Sequence, residues 1–137
     1  MCMVDSCDGF VVVLNERHRK ARKEHKCVEC HRVISGGETY LATRVVYEGD
    51  FSAYKVCAHC EVVQLWLGKE CGGFVHNTLV EDIRDHARES AYGFGVMRLA
   101  VGIFNKWQRK DGRLFPVPRM PMTSFDKVRI QEKQHEQ

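Results

Sequence analysis

The chain lacks any run long and apolar enough to cross a membrane. Its longest apolar-rich stretch, Phe94 to Trp107, is interrupted by Arg98 and falls short of the about 20 residues a spanning helix needs. No N-terminal segment joins a basic start, an apolar stretch and a small-residue cleavage site, so we expect a cytoplasmic protein. No internal repeat is visible. Neither sign of charge dominates: the formal net charge of +3 is too small to mark a nucleic-acid binder, so any such argument must come from where charges cluster. Proline is scarce, and all three prolines fall in "DGRLFPVPRMP", Asp111 to Pro121, which reads as extended or irregular.

What is present describes a folded domain. With 44% hydrophobic and 28% charged residues the composition is that of a soluble globular chain, not a disordered one. A length of 137 residues buries a usable core without needing a metal or a disulfide to hold it. We expect one domain over residues 1–118 and a polar C-terminal tail over 119–137. Seven cysteines is a high and odd number, which argues against a fully paired disulfide framework and for metal binding or chemistry.

Read along the chain, "FVVVL" (Phe10 to Leu14) is β-branched and predicts a buried strand. "NERHRKARKEHK" follows with six Lys or Arg between Arg17 and Lys26 against one acid, Glu24, and predicts a solvated helix or an extended arm. "TYLATRVVYEG" and "FSAYKVC" alternate on either side of Gly49-Asp50, a hairpin signal. In "CAHCEVVQLWLG", Ala58, Val62, Leu65 and Trp66 fall at helical spacing with a stop at Gly68. Cys71, Gly72 and Gly73 form a linker. Thr78 and Glu81 then predict a capping box opening a helix to about Glu89, with Leu79, Ile83, His86 and Ala87 inward. "FGVMRLAVGIFNKWQRK" predicts a largely buried helix with a basic end, giving a helical part over residues 78–110. The last residues, "TSFDKVRIQEKQHEQ", are polar and predict a frayed or helical surface segment.

Two CxxC pairs carry the strongest chemical signal. Cys27 and Cys30 form one, Cys57 and Cys60 the other, with 26 residues between them. Such turns let paired sulfurs converge on one ion, and four thiolates suit the tetrahedral preference of zinc. A redox pair needs only one CxxC beside a βαβ pattern, and neither pair here has one. The first pair sits on a turn before Gly36-Gly37, a hairpin intervenes, and the second pair opens a helix whose N-terminal dipole favours thiolate. This order, over residues 26–68, resembles the treble-clef zinc finger, and "CVECHRVISGGETY" resembles its knuckle and first strand. We therefore expect an α+β fold: treble-clef finger, N-terminal strand and helical C-terminal half. Lys26, Arg32, Lys55, His31 and His59 stand where they can screen a negatively charged site.

The same finger fold hosts HNH nucleases, which need histidines on the hairpin and helix and an asparagine nearby. Here that stretch holds His59 alone, between two ligand cysteines, and no asparagine. We expect no enzyme and no small-molecule substrate. The remaining Cys2, Cys7 and Cys71, with His76, have spacing suited to a second zinc site. Positive charge collects at Arg17, Arg19, Lys20, Arg22 and Lys23, and again at Lys106, Arg109 and Lys110, where Trp107 offers a stacking face; both suit phosphate. The acidic helix from Glu81 suits a duplex less.

Taken jointly, "MCMVDSCDG", "ARKEHKCVECHRVISGGETY", "YKVCAHC", "WLGKECGGFVHNTLVEDIRDHA" and "RLAVGIFNKWQRKDG" resemble a group of small proteins encoded by tailed bacteriophages and prophages. The resemblance covers about Met1 to Pro118. It implies a phage accessory protein in bacterial cytoplasm, and leaves nucleic acid or a host protein as its partner.

Overall fold

A computed structural model describes residues 11–89 and 93–135. The antiparallel core sheet has three strands in the order β1 (Val11–Lys20), β4 (Thr39–Tyr47), β5 (Asp50–Cys57), with two short strands, β2 (His25–Lys26) and β3 (Val33–Ile34), paired separately. Four helices follow: α1 (Ala58–Cys71), α2 (Leu79–Ala87), α3 (Phe94–Phe104) and α4 (Ser124–His135). The class is α+β, as expected. No described helix is long and apolar enough to cross a membrane.

The β4–β5 hairpin turns at Glu48-Gly49, both at positive φ, where the polar break in the sequence placed it. Leu41, Thr43, Val45 and Val56 are buried and share one face by alternation. The helix α1 covers that face, and His18 of β1 meets Glu61 of α1 at 2.7 Å. The core continues through Val63, Trp66 and Leu67 of α1, Leu79 and Ile83 of α2, and Val96, Leu99 and Ile103 of α3.

Several expectations give way here. The basic stretch is not helix or arm: Arg17 to Lys20 continue β1, paired in register with Ala42 to Thr39 of β4. Nor is the apolar start of that strand buried, since Val12, Val13 and Leu14 are each 53% exposed; the strand lies at the sheet edge, and Phe10 lies outside the described residues. Gly68 does not stop α1. The helix runs one turn further to Cys71 and ends at Gly72 in the left-handed conformation (φ 77°), which glycine adopts without steric cost. Leu65 faces solvent, while Trp66 is buried. The polar C-terminal segment forms the helix α4, one of the two forms expected, and is tied to α1: Trp66 Nε1 donates to the Met122 carbonyl (3.3 Å), and Ser124 donates to Glu70 from its amide (2.8 Å) and its hydroxyl (2.6 Å).

The third helix is shorter and less buried than its sequence implies. It ends at Phe104, and Phe94, Met97, Val101 and Phe104 are exposed. Lys106 and Trp107 then take left-handed conformations (φ 55° and 58°), which cost a non-glycine residue about 1–2 kcal/mol each. Burying Trp107, worth about 3–5 kcal/mol by the usual cost of truncating a buried tryptophan, offsets that. The fold-back brings the Trp107 ring flat against Gly102, where a Cβ would overlap it.

Gly102→Ala is therefore expected to lower stability by about 1–3 kcal/mol through overpacking. Gly68→Ala, whose Cβ meets no atom in α1, should instead add about 0.5–1 kcal/mol from helix propensity. Thermal or denaturant melts of the two variants, compared with the parent, check both signs.

Candidate metal centre

The first cysteine pair is shaped by its own backbone. Cys27 N–H donates to the Arg32 carbonyl (2.9 Å) and His31 N–H to the Cys27 carbonyl (3.0 Å), closing a knuckle whose exit residue, His31, is left-handed (φ 64°). Val28 N–H reaches the Lys55 carbonyl (2.9 Å) and so docks the knuckle on β5. The second pair comes from the junction of β5 and α1: Cys57 is the N-cap residue, still extended, and Cys60 lies in the first helical turn. The junction serves both purposes, since the Cys57 amide also donates to Cys27 Sγ (3.4 Å).

The four sulfurs lie within 4.8 Å of one another, and all four cysteines are buried free thiols. Cys30 and Cys57 sulfurs are 3.9 Å apart. A tetrahedron with metal–sulfur bonds of about 2.3 Å has edges of about 3.8 Å, so the cluster has the size a metal ion requires. Four thiols this close cannot all ionise independently. Hydrogen bonds from the neighbouring thiols, Cys27 foremost, hold Cys57 far below the usual thiol range, while burial and then its sulfur neighbours push Cys60 well above it. A divalent cation removes that conflict by neutralising part of the charge. These four residues can hold one.

The surroundings suit a negatively charged centre. Arg32 is buried, with Nη1 donating to the Val33 carbonyl and to Glu38 (3.1 Å each). Burial works against its charge, yet Cys57 and Glu38 keep its pKa above the ordinary arginine value. Its Nε and Nη2 meet no well-directed oxygen or nitrogen acceptor among the described residues, and the neighbouring Cys57 sulfur adds to the attraction that Glu38 supplies. Trp107 Nε1 donates to Cys60 Sγ (3.3 Å), which makes the ring a wall of the centre instead of the stacking face expected from sequence. His59 lies under Trp107 (ring centroids 5.5 Å) and reaches the Phe115 carbonyl with Nε2. Lys55, expected beside the metal, meets His25 Nδ1 (3.1 Å), and His31 is exposed.

Glu29, inside the first CxxC, was not singled out by sequence, although an acid within a buried turn must find donors. It is 4% exposed, and its carboxylate accepts from Asn77 N–H (2.6 Å) and Leu79 N–H (3.2 Å). It therefore caps α2 from a distance. The expected capping box at Thr78 and Glu81 is not formed: Thr78 makes no side-chain cap bond and its hydroxyl donates to the Val75 carbonyl. Burial pushes the Glu29 carboxyl up, against the two amides that pull it down.

Of the expected second site, Cys2 and Cys7 lie outside the described residues. His76 turns away to stack on Tyr54 (4.0 Å, 5°) and against Phe74. Among the basic residues, Arg17 and Arg19 share one sheet face with Arg44 and Lys55, because Arg17–Ala42–Lys55, Asn15–Arg44–Ala53 and Arg19–Tyr40 are register partners. Together with Tyr40 they line a concavity of about 270 Å³ on that face, while Tyr54, the register partner of buried Thr43, alternates to the opposite face. Lys20 alternates to the opposite face. Arg22 and Lys23 follow in the turn, and Lys106, Arg109 and Lys110 sit on the turn after α3, where Arg109 lies over the Phe115 ring (5.4 Å). Sequence clustering missed Arg44 and Lys55, which only register brings beside Arg17.

No protein-family model, curated protein or solved structure matches the chain.

Glu29→Ala is expected to cost about 1–3 kcal/mol, because it leaves two amides at the start of α2 without their acceptor. Glu29→Gln keeps an acceptor and should cost less. Melts of both variants, with hydrogen exchange at Asn77 and Leu79, report whether the loss lies at that helix start.

Proposed function

We propose that this is a zinc protein of treble-clef type, non-enzymatic, whose metal holds in place a sheet face that binds nucleic acid. The order knuckle, hairpin, helix around Cys27, Cys30, Cys57 and Cys60 supports the finger reading, and the all-thiolate donor set favours zinc among common cellular metals. One observation carries the partner: Arg17, Arg19, Arg44 and Lys55 stand on the same solvent face of the sheet around a concavity that includes Tyr40. Cations spaced across a β-sheet suit a run of phosphates, and guanidinium planes accept stacked bases. No carboxylate lines that concavity. The sequence resemblance to phage-encoded proteins supports a setting in an infected bacterium, with phage or host nucleic acid as the target.

A second reading has its own observation. Phe94 (79% exposed), Met97, Val101 and Phe104 (72%) form an apolar stripe along α3, which soluble proteins seldom expose without a partner. A host protein covering that stripe is the alternative occupant of this molecule's function.

Two expected results follow. Protein isolated in reducing buffer should hold zinc at the four-cysteine cluster, and Cys60→Ser should lower both zinc retention and thermal stability; a variant that keeps the metal and the melting temperature of the parent would reject the finger. Binding to nucleic acid should weaken roughly a hundredfold between about 50 and about 200 mM salt if four phosphates are contacted. Arg17→Ala with Arg44→Ala should then reduce the salt slope by about two. Binding that ignores salt, or that depends on Phe94 and Phe104 instead, favours the protein partner.

A further inference from the structure

The solvent face of the core sheet can be followed row by row through its register. Arg19 stands beside Tyr40; Arg17, Ala42 and Lys55 form the next row, and Asn15, Arg44 and Ala53 the one after. The bulge between Val13 and Asn15 shifts β1 by one residue, so the fourth row is Val12, Val46 and Phe51. Cations and no carboxylate carry the charge of these rows, and α1 packs on the opposite face, where Leu41, Val45 and Val56 are buried.

The fourth row is what phosphate binding does not explain. Phe51 is 78% exposed and Val12 53%, an apolar end on an otherwise charged face. Ala42 and Ala53 are short and keep the centre of that face low, between the cations that line the concavity. Arg44 lies one row from Phe51 on the neighbouring strand, a diagonal separation of about 7–8 Å that a long side chain spans.

A single strand of nucleic acid uses both ends of such a face. Its phosphates need cations, and its bases, no longer stacked on one another, take aromatic or guanidinium planes instead. A duplex presents backbone and base edges but keeps its base planes covered, which leaves Phe51 without a partner. The Arg19 row and the Phe51 row are separated by six residues of β4, about 20 Å at the usual rise of a strand, a path for a short stretch of nucleotides.

The geometry points to single-stranded nucleic acid as the ligand of this face, with Arg17, Arg19, Arg44 and Lys55 on its phosphates and Phe51 as the plane on which a base stacks. This narrows the nucleic-acid reading of the sheet and rests on it. It does not depend on which metal the four cysteines hold.

The test uses the full chain purified with a thiol reductant and zinc. Fluorescence anisotropy compares a labelled pyrimidine strand of about 12 nucleotides, as DNA and as RNA, with a duplex of the same length and with inorganic polyphosphate, which has the charge without the bases. The single strand should bind at least about tenfold tighter than either comparison ligand. Phe51→Ala should weaken single-strand binding by about 5- to 100-fold, the usual worth of one stacked base, and leave the salt slope unchanged because no charge is removed. Phe51→Trp should keep the affinity, and the emission of the added indole should change when the strand binds. Since Phe51 is exposed, both variants should melt with the parent. A duplex or polyphosphate bound as tightly as the single strand, or full affinity in Phe51→Ala, overturns the single-strand assignment and leaves the broader reading standing; binding to no nucleic acid at all overturns both.

Discussion

Four thiols gathered within one tetrahedron's width make an arrangement that a protein interior resists. Each thiolate must leave water, and each repels the next, so the cluster is stable only when a cation sits among the sulfurs and the surroundings add positive potential. The parts of this molecule are placed accordingly. The helix α1 begins at Cys57, which directs its N-terminal dipole at the sulfurs. The charge of a buried arginine, Arg32, is favoured by Cys57 as well as by Glu38, and the indole of Trp107 donates to Cys60. Remove the cluster's charge and these groups lose part of what offsets their burial.

The same cluster organises elements far apart in sequence. The first knuckle hangs from β5 through Val28, and its Glu29 fixes the start of α2. The second pair joins the sheet to α1. Trp107 brings the end of α3 onto Cys60, and the fold-back that delivers it is possible because residue 102 has no side chain. The metal-binding cysteines thus touch the sheet and, through one intermediary each, both following helices.

How much of this could be read from the sequence differed by the range of the interaction. Local signals were clear: the CxxC spacing named the four cysteines that the fold gathers into one cluster, and the alternation around Gly49-Asp50 located the β4–β5 hairpin. Signals needing a partner far along the chain were not. Arg17 to Lys20 look solvated because their strand partners lie 19 to 25 residues on, and a basic edge strand carries no apolar alternation to reveal it. Thr78 and Glu81 match a capping box, but Glu29 reaches the helix amides first. Trp107 followed a basic, exposed-looking run, and only its left-handed backbone turns it inward.

Of the two tryptophans, Trp107 rests against the four-cysteine cluster and donates to one of its sulfurs, while Trp66 packs on His86. Sulfur quenches excited indole, and a bound ion would change the sulfur's electronic character. The chain therefore carries an intrinsic optical reporter on the cluster, so that its ultraviolet emission would register metal loading there without any attached dye.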